Sequence, residues 1–239
     1  MISMNSRGSL LPGIGLFIAS ANAFGAKSAP PAEPALPQTS IVQLAQTLAV
    51  GDIVFIRSTA LPFKKVAAAT GSWTNHVGIV IEVSGKEVLV AESTFPFSRT
   101  TPLSHFVERS ERGRVEVMRL NAAMTDAQRQ AIPNAARKRT GILYDTGFDL
   151  HSPRQFCSRF VREVLEEATG RQVGEVETLA TLLERYPGTD QYFWRVWYFG
   201  NIPWQRETVT PARMQESPLL RSIFDGFARR HASPTGFPL

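Results

Sequence analysis

The chain has 239 residues, 43% of them hydrophobic and 20% charged, with a formal net charge of +5. At roughly 100–200 residues per domain this is one globular domain with tails, or two small ones, and the composition excludes a fibrous or wholly disordered protein. The positive balance is modest, and the sequence holds no Lys/Arg block, zinc-ligand spacing or aromatic RNA-binding signature, so no nucleic-acid partner is expected.

The chain opens MISMNSRGSLLPGIGLFIASANA. One charge, Arg7, precedes an apolar run from Leu10 to Ala21, and Ala21-Asn22-Ala23 closes it in a small-x-small pattern. That is the layout of a secretory signal peptide, so residues 1–23 are expected to be removed and the protein exported, to a periplasm or beyond. Pro12, Gly13 and Gly15 break the run, which is too short for a membrane anchor. Residues 24–39 carry Pro30, Pro31, Pro34 and Pro37 and read as an extended linker. The folded domain is expected over 40–239.

Ser40 caps a helix running from Ile41 to Val50. Gly51-Asp52 then turns the chain into Ile53–Ile56, an apolar run that suits a buried strand. A helix is expected over Leu61–Ala69. His76–Val83 reads as a strand, Ser84-Gly85-Lys86 as a hairpin turn and Glu87–Glu92 as its partner strand. Thr101-Pro102-Leu103 opens a short helix to about Arg109, and Arg114–Leu120 alternates as a strand. Thr125 caps a helix to about Arg139. The loop ILYDTGFDLHSPRQ precedes an amphipathic helix that holds Cys157 and ends at Gly170. Val176–Tyr186 reads as a helix, Asp190–Phe199 as a strand or packed loop. Pro218–His231 reads as a helix with Leu219, Leu220, Ile223, Phe224 and Phe227 as its stripe. Strands and helices without regular alternation indicate an α+β fold. Arg206, Arg213, Arg221, Arg229 and Arg230 make the C-terminal part basic: either an ordinary solvated surface or one drawn to an anionic envelope surface.

Cys157 is the only cysteine, so an exported chain could form no internal disulfide with it. Two readings stand. Free cysteine is often a small core residue. It is also a nucleophile where a base or a positive field ionises it. A capping box over Ser152–Gln155 would put Cys157 about one turn into its helix; a later start would put it in the first turn, where backbone N–H groups can hold an oxyanion. Of the four histidines, His231 lies in a polar tail, His105 on an exposed helix face and His151 in a loop. His76 opens a strand, where its backbone is held firmly. The hairpin places position 76 opposite about 92–94, which brings Glu92 to the same end of the sheet as a carboxylate that can orient an imidazole.

The order GDIVF, NHVGIVIE, VLVAES, LYDTGFDLHSPRQFCSRFVREVL resembles the circularly permuted NlpC/P60 families of papain-like enzymes, of the YiiX/YebB type. The resemblance spans about residues 50–170. It implies a permuted papain-like fold, a small antiparallel sheet packed on helices, with Cys157 as nucleophile, His76 as base and Glu92 as orienting acid. It also points to Tyr144, Asn75 and Ser158 as candidate oxyanion or substrate contacts. Arg159 departs from the small or acidic residue that often follows Cys-Ser in the family. Residues from about 173 onward have no counterpart in it and are expected to form a helical extension. No metal or cofactor is called for. The activity implied is that of a thiol amidase acting on peptidoglycan stem peptides. The alternatives are acyl hydrolysis or transfer on lipids, or a cell-wall peptide-binding module without catalysis. A redox role would lack a resolving cysteine.

Overall fold

A computed structural model describes residues 35–84, 86–186 and 189–230. The signal-peptide reading of 1–23, most of the linker and His231 lie outside them. The chain begins with strand β1 (Gln38–Ser40) and helix α1 (Ile41–Thr47). The hydroxyl of Ser40 accepts the Gln43 N–H and the Gln43 side chain answers to the Ser40 backbone, a reciprocal cap that starts α1 where the sequence placed it. Strand β2 (Ile53–Ser58), helix α2 (Leu61–Thr70), strand β3 (His76–Glu82), strands β4 (Leu89–Glu92) and β5 (Arg99–Pro102), helix α3 (Leu103–Glu108) and strand β6 (Ser110–Leu120) follow. Helix α4 (Asp126–Lys138) is capped by Thr125 with Gln128. Then come helix α5 (Cys157–Thr169), strand β7 (Glu177–Thr178), helices α6 (Leu179–Arg185) and α7 (Gln191–Trp197), strand β8 (Glu207–Thr208), helix α8 (Pro211–Gln215) and strand β9 (Leu220–Arg229).

Among the described residues the main sheet has the order β1-β9-β6-β2-β3-β4-β5, antiparallel except where β1 runs parallel to β9. Both faces are covered, which is why β2 reads as an unbroken apolar run. Ile53 and Phe55 meet Ile132 of α4 and Phe160, Val161, Val164 and Leu165 of α5 on one face. Val54 and Ile56 meet Leu44 of α1 and Leu103, Phe106 and Val107 of α3 on the other. The apolar stripe of α5, Phe160, Val161, Val164, Leu165 and Ala168, is buried at every position. This is a mixed α+β architecture, and among the described residues no helix is long and apolar enough to cross a membrane.

Three local readings change. The helix expected over Pro218–His231 does not form in the residues described: Leu220–Arg229 is a strand inside the sheet, paired with β6 over Leu220–Phe227. The register slips between Ser222 and Phe224, so the strand alternation restarts there. That irregularity breaks the period-2 pattern and leaves apolar residues at spacings a helix would also give. Residues beyond 173 are therefore not a helical extension alone, because β9 lies within the sheet. Asp190–Phe199 forms helix α7, started by the Asp190 carboxylate accepting the Phe193 N–H at 2.9 Å. Finally, the last residues of the proline-rich stretch, Gln38 and Thr39, are in β1, and the Pro37 carbonyl accepts the Phe227 N–H.

The β1–β9 join leaves no room for a side chain at Gly226, where a Cβ would collide with the Pro37 carbonyl. Gly226→Ala should destabilise the protein by ~1–3 kcal/mol, read from urea unfolding. A helix here would give the opposite sign, since alanine stabilises a helix interior over glycine by about 0.5–1 kcal/mol.

Candidate active site

The β3–β4 ladder pairs Ile79 with Ala91 and Val80 with Val90. Carried on, that register sets Glu92 opposite Gly78, one diagonal step from His76, a spacing that long side chains bridge. Gly78 leaves the space needed. A Cβ there would come within 2.9 Å of the Phe106 ring, which lies 5.6 Å from the His76 ring, tilted by 32°. The outcome is a contact of 2.6 Å between His76 Nε2 and Glu92 Oε2, with both side chains buried.

Glu92 is fully buried, and every other contact it makes is with a donor. The Thr101 hydroxyl donates to Oε1 at 2.6 Å, and Arg109 Nη2 donates to both oxygens at 2.8 Å. Arg99 Nε stands 3.7 Å away. Burial alone would raise the Glu92 pKa. The bond and charge of His76, then Arg109, outweigh it and bring the value down to about 2 from an ordinary 4.5.

Helix α5 settles where the cysteine sits. Phe156 is the N-cap, Cys157 the first helical residue, and the first intrahelical bond runs from the Phe160 N–H to the Phe156 carbonyl. Of the two starts the sequence allowed, the later one holds, and no capping box forms over Ser152–Gln155. Ser152 accepts the Arg154 N–H, and the Gln155 side chain donates to Glu163. Phe156 offers no side-chain cap, so the N–H groups of Cys157, Ser158 and Arg159 stand ahead of the hydrogen-bond ladder, at the positive end of the helix. Three bonds aim this terminus: Gln155 N–H to Leu143 O, Asp145 N–H to Gln155 O, and the Ser93 hydroxyl to Gln155 O. The last ties the helix entry to the residue beside Glu92.

The free ring nitrogen of His76, Nδ1, is buried with no well-formed hydrogen bond, and the Cys157 thiol is its remaining polar neighbour. Apo sites often hold such pairs slightly out of line. Burial pushes the His76 pKa down, but the adjacent Cys157, then the bond and charge of Glu92, lift it to about 9. The Tyr144 hydroxyl is also buried without a partner and lies against Cys157. Burial, followed by the nearby Cys157 charge, holds its pKa well above 10, so the phenol keeps its proton and can donate it as a hydrogen bond. The structure thus brings Cys157, His76, Glu92 and Tyr144 together at one end of the sheet.

This order of parts, with histidine strand before cysteine helix, is matched by a known family. The family described as permuted papain-like amidase, YaeF/YiiX, C92, matches residues 47–224. The chain belongs to this family. It is 28% identical over 173 residues to the uncharacterized protein YiiX of Escherichia coli (strain K12), covering 72% of this chain and 84% of that one. It also resembles the crystal structure of the metalloprotein YiiX from Escherichia coli O157:H7, with a TM-score of 0.69 and 28% identity, over 75% of this chain and 98% of the other. The family match runs beyond residue 173, so most of the C-terminal part belongs to the shared fold. Among the described residues no group of three or more His, Cys, Asp or Glu side chains could hold a metal ion. The described residues therefore do not fit a metal of the kind that the relative, a metalloprotein, is said to hold.

The other expected contacts are occupied. The Asn75 side chain bonds Ser58 at both ends, accepting its N–H at 2.7 Å and donating to its carbonyl at 3.0 Å, which fixes the mouth of β3. The Ser158 hydroxyl donates to the Val209 carbonyl at 2.6 Å. The Ser158 hydroxyl is thus taken up, the Asn75 amide uses one of its two N–H groups, and both residues line the cavity beside Cys157. His105 is exposed, and His151, also exposed, contacts Glu207 at 2.7 Å. Sequence reasoning missed Arg109 and Thr101, which hold Glu92, because neither stands in a motif. The segment after 173 covers this end of the sheet: Leu179, Leu182, Leu183, Trp194 and Val209 close an apolar cavity of ≈ 30 Å³ beside Cys157, with Phe63, Phe148 and Tyr144.

The two shifted groups set a pH signature. The raised His76 pKa contributes stability in full below about 6.5 and loses it as pH rises through about 9. The lowered Glu92 pKa contributes in full above 4.5 and loses it as pH falls through about 2. Alkylation of Cys157 by iodoacetate, an anion drawn to the imidazolium, should fall as pH rises through about 9. His76→Gln should remove that fall. A wild-type rate that climbs steadily through this range would show an unpaired thiol.

Proposed function

We propose that the protein is an exported thiol amidase working through Cys157, His76 and Glu92. The observation that carries the reading is a buried imidazole bonded through one nitrogen to a buried carboxylate, with its other nitrogen unpartnered beside the chain's single thiol and that thiol at the first position of a helix. His76 takes the thiol proton, and the Cys157 sulfur attacks the amide carbonyl. The developing oxyanion is held by the Cys157 backbone N–H and the Tyr144 hydroxyl. His76 gives its proton to the leaving amine, which departs as the acyl-enzyme forms. Water, with its proton passed to His76, then attacks the thioester, and the acid and free thiol are released. Glu92 holds the ring in one orientation and balances the imidazolium charge.

The substrate we propose is a peptide amide of the peptidoglycan stem, in keeping with export and a basic C-terminal part that suits an anionic envelope surface. One observation favours a second reading. The cavity beside Cys157 is walled by leucine, valine and aromatic side chains, which suit an alkyl group and repel a charged one. Lipid-type acyl substrates would use the apolar character of that wall, although ≈ 30 Å³ has room for no more than about a methyl group unless the wall parts. A binding module without catalysis has no need of a buried imidazole between a thiol and a carboxylate.

Purified muropeptides and phospholipid vesicles, incubated in parallel with the protein and read by mass spectrometry, separate these readings. Cleaved muropeptides are expected. Cys157→Ala should abolish the cleavage, and His76→Ala should slow it roughly 10²–10⁴-fold. Lysophospholipid or free fatty acid without muropeptide products would establish the second reading. Equal activity in Cys157→Ala would overturn both.

A further inference from the structure

Arg109 has no place in the Cys157–His76–Glu92 set, yet its geometry is more specific than a surface ion pair requires. It caps α3 at its C-terminal end, and its Nη2 sits 2.8 Å from each oxygen of a carboxylate with no exposed surface. Its guanidinium lies 5.1 Å from the centre of the Phe106 ring, the ring that also packs beside His76. One short helix therefore sends Phe106 to the imidazole and Arg109 to the carboxylate behind it.

The bond between His76 and Glu92 is short, so the carboxylate pulls on the ring proton along a fixed line. A buried carboxylate serving only the imidazole would bind its cation tightly and make the imidazolium a poor acid. A second cation on the same carboxylate divides that pull. The charged and titratable groups around His76 are Glu92 from β4, Cys157 from α5, Tyr144 from the preceding loop, Arg109 after α3 and, at the edge, Arg99 from β5. Of the two arginines, Arg109 alone is within hydrogen-bond distance of Glu92.

We propose that Arg109 is a positioning residue for the reaction: its guanidinium holds the Glu92 carboxylate turned toward His76 and shares its charge, so that the imidazolium keeps a proton it can release. This rests on the triad proposed for the site. The sign follows from charge. Removing Arg109 takes away a cation near the imidazolium and leaves Glu92 undivided, so His76 should hold its proton to higher pH.

The test is the pH profile of iodoacetate alkylation at Cys157 in the full chain, which needs no identified substrate. In Arg109→Gln the alkaline limb should move up by about half a pH unit or more, a change of ~3-fold in imidazolium acidity. Arg109→Lys keeps the charge but puts it on a rotating ammonium in place of the planar guanidinium whose Nη2 spans both oxygens. Its limb should stay in place while alkylation below the limb slows several-fold. A purely structural role would lower the urea midpoint of Arg109→Gln and leave the limb where it was, and that result overturns the proposal. Should Arg109→Gln not fold, Arg109→Lys decides: an unchanged rate and limb would overturn it as well. Failure of the triad itself shows earlier and separately, as a wild-type profile without an alkaline limb.

Discussion

A carboxylate with no exposed surface has to be paired, and the site is arranged around that requirement at Glu92. Leaving one such charge uncompensated costs on the order of 3–5 kcal/mol. Three elements supply the compensation: β3 brings His76, β5 brings Thr101, and the end of α3 brings Arg109. These elements are also where the sheet and its flanking helix must be in register. Phe106, one turn before Arg109, packs into the space that Gly78 leaves open, so apolar packing on that face and the ion network fix each other. The network stabilises the ionised form of each partner, which is what a base and its orienting acid need.

The thiol is governed by a different constraint, the start of a helix. Cys157 belongs to the apolar core by burial and to the site by position, so the two readings of a lone cysteine are not exclusive. Its helix begins with no side-chain cap, a local cost of roughly 0.5–2 kcal/mol relative to a good capping residue. The apolar stripe of α5 on the sheet offsets that cost. What the missing cap leaves behind is a set of backbone donors at the sulfur. Arg159, which departs from the family pattern, serves this arrangement from outside: its guanidinium gathers the Ser152 and Arg154 carbonyls and pairs with Glu163. It braces the loop that leads into the helix.

The sequence carried the parts whose spacing is local. The hairpin from His76 to Glu92 was legible because turn length and strand period together fix which residues share an end. The buried run of β2, the Ser40 and Thr125 caps and the α5 stripe were legible for the same reason. The start of α5 was not, since Ser152-Pro153-Arg154-Gln155 has capping chemistry but is held as a loop by contacts to Leu143, Ser93 and Arg159. Arg109 was invisible because its partner is 17 residues away and no spacing rule joins a helix end to a strand end. Asn75 and Ser158 were placed correctly near the thiol, yet their side chains are committed to Ser58 and Val209. Strand β9 was lost to its own register slip.

That last misreading bears on specificity. A separate helical appendage after residue 173 could shift or be lost without disturbing the catalytic groups. Strand β9 does not allow this, since it pairs with β6, which pairs with β2. The cover between α5 and β9 is therefore held at both ends by the sheet that carries His76. Within it, Val209 accepts the hydroxyl of Ser158, the residue after the thiol, and Arg213 and Arg185 both pair with the largely buried Glu177. The apolar wall facing Cys157 is thus tied to the residue that follows the thiol. The face that this cover turns toward Cys157 is apolar, so shape and polarity set what can approach the sulfur from that side.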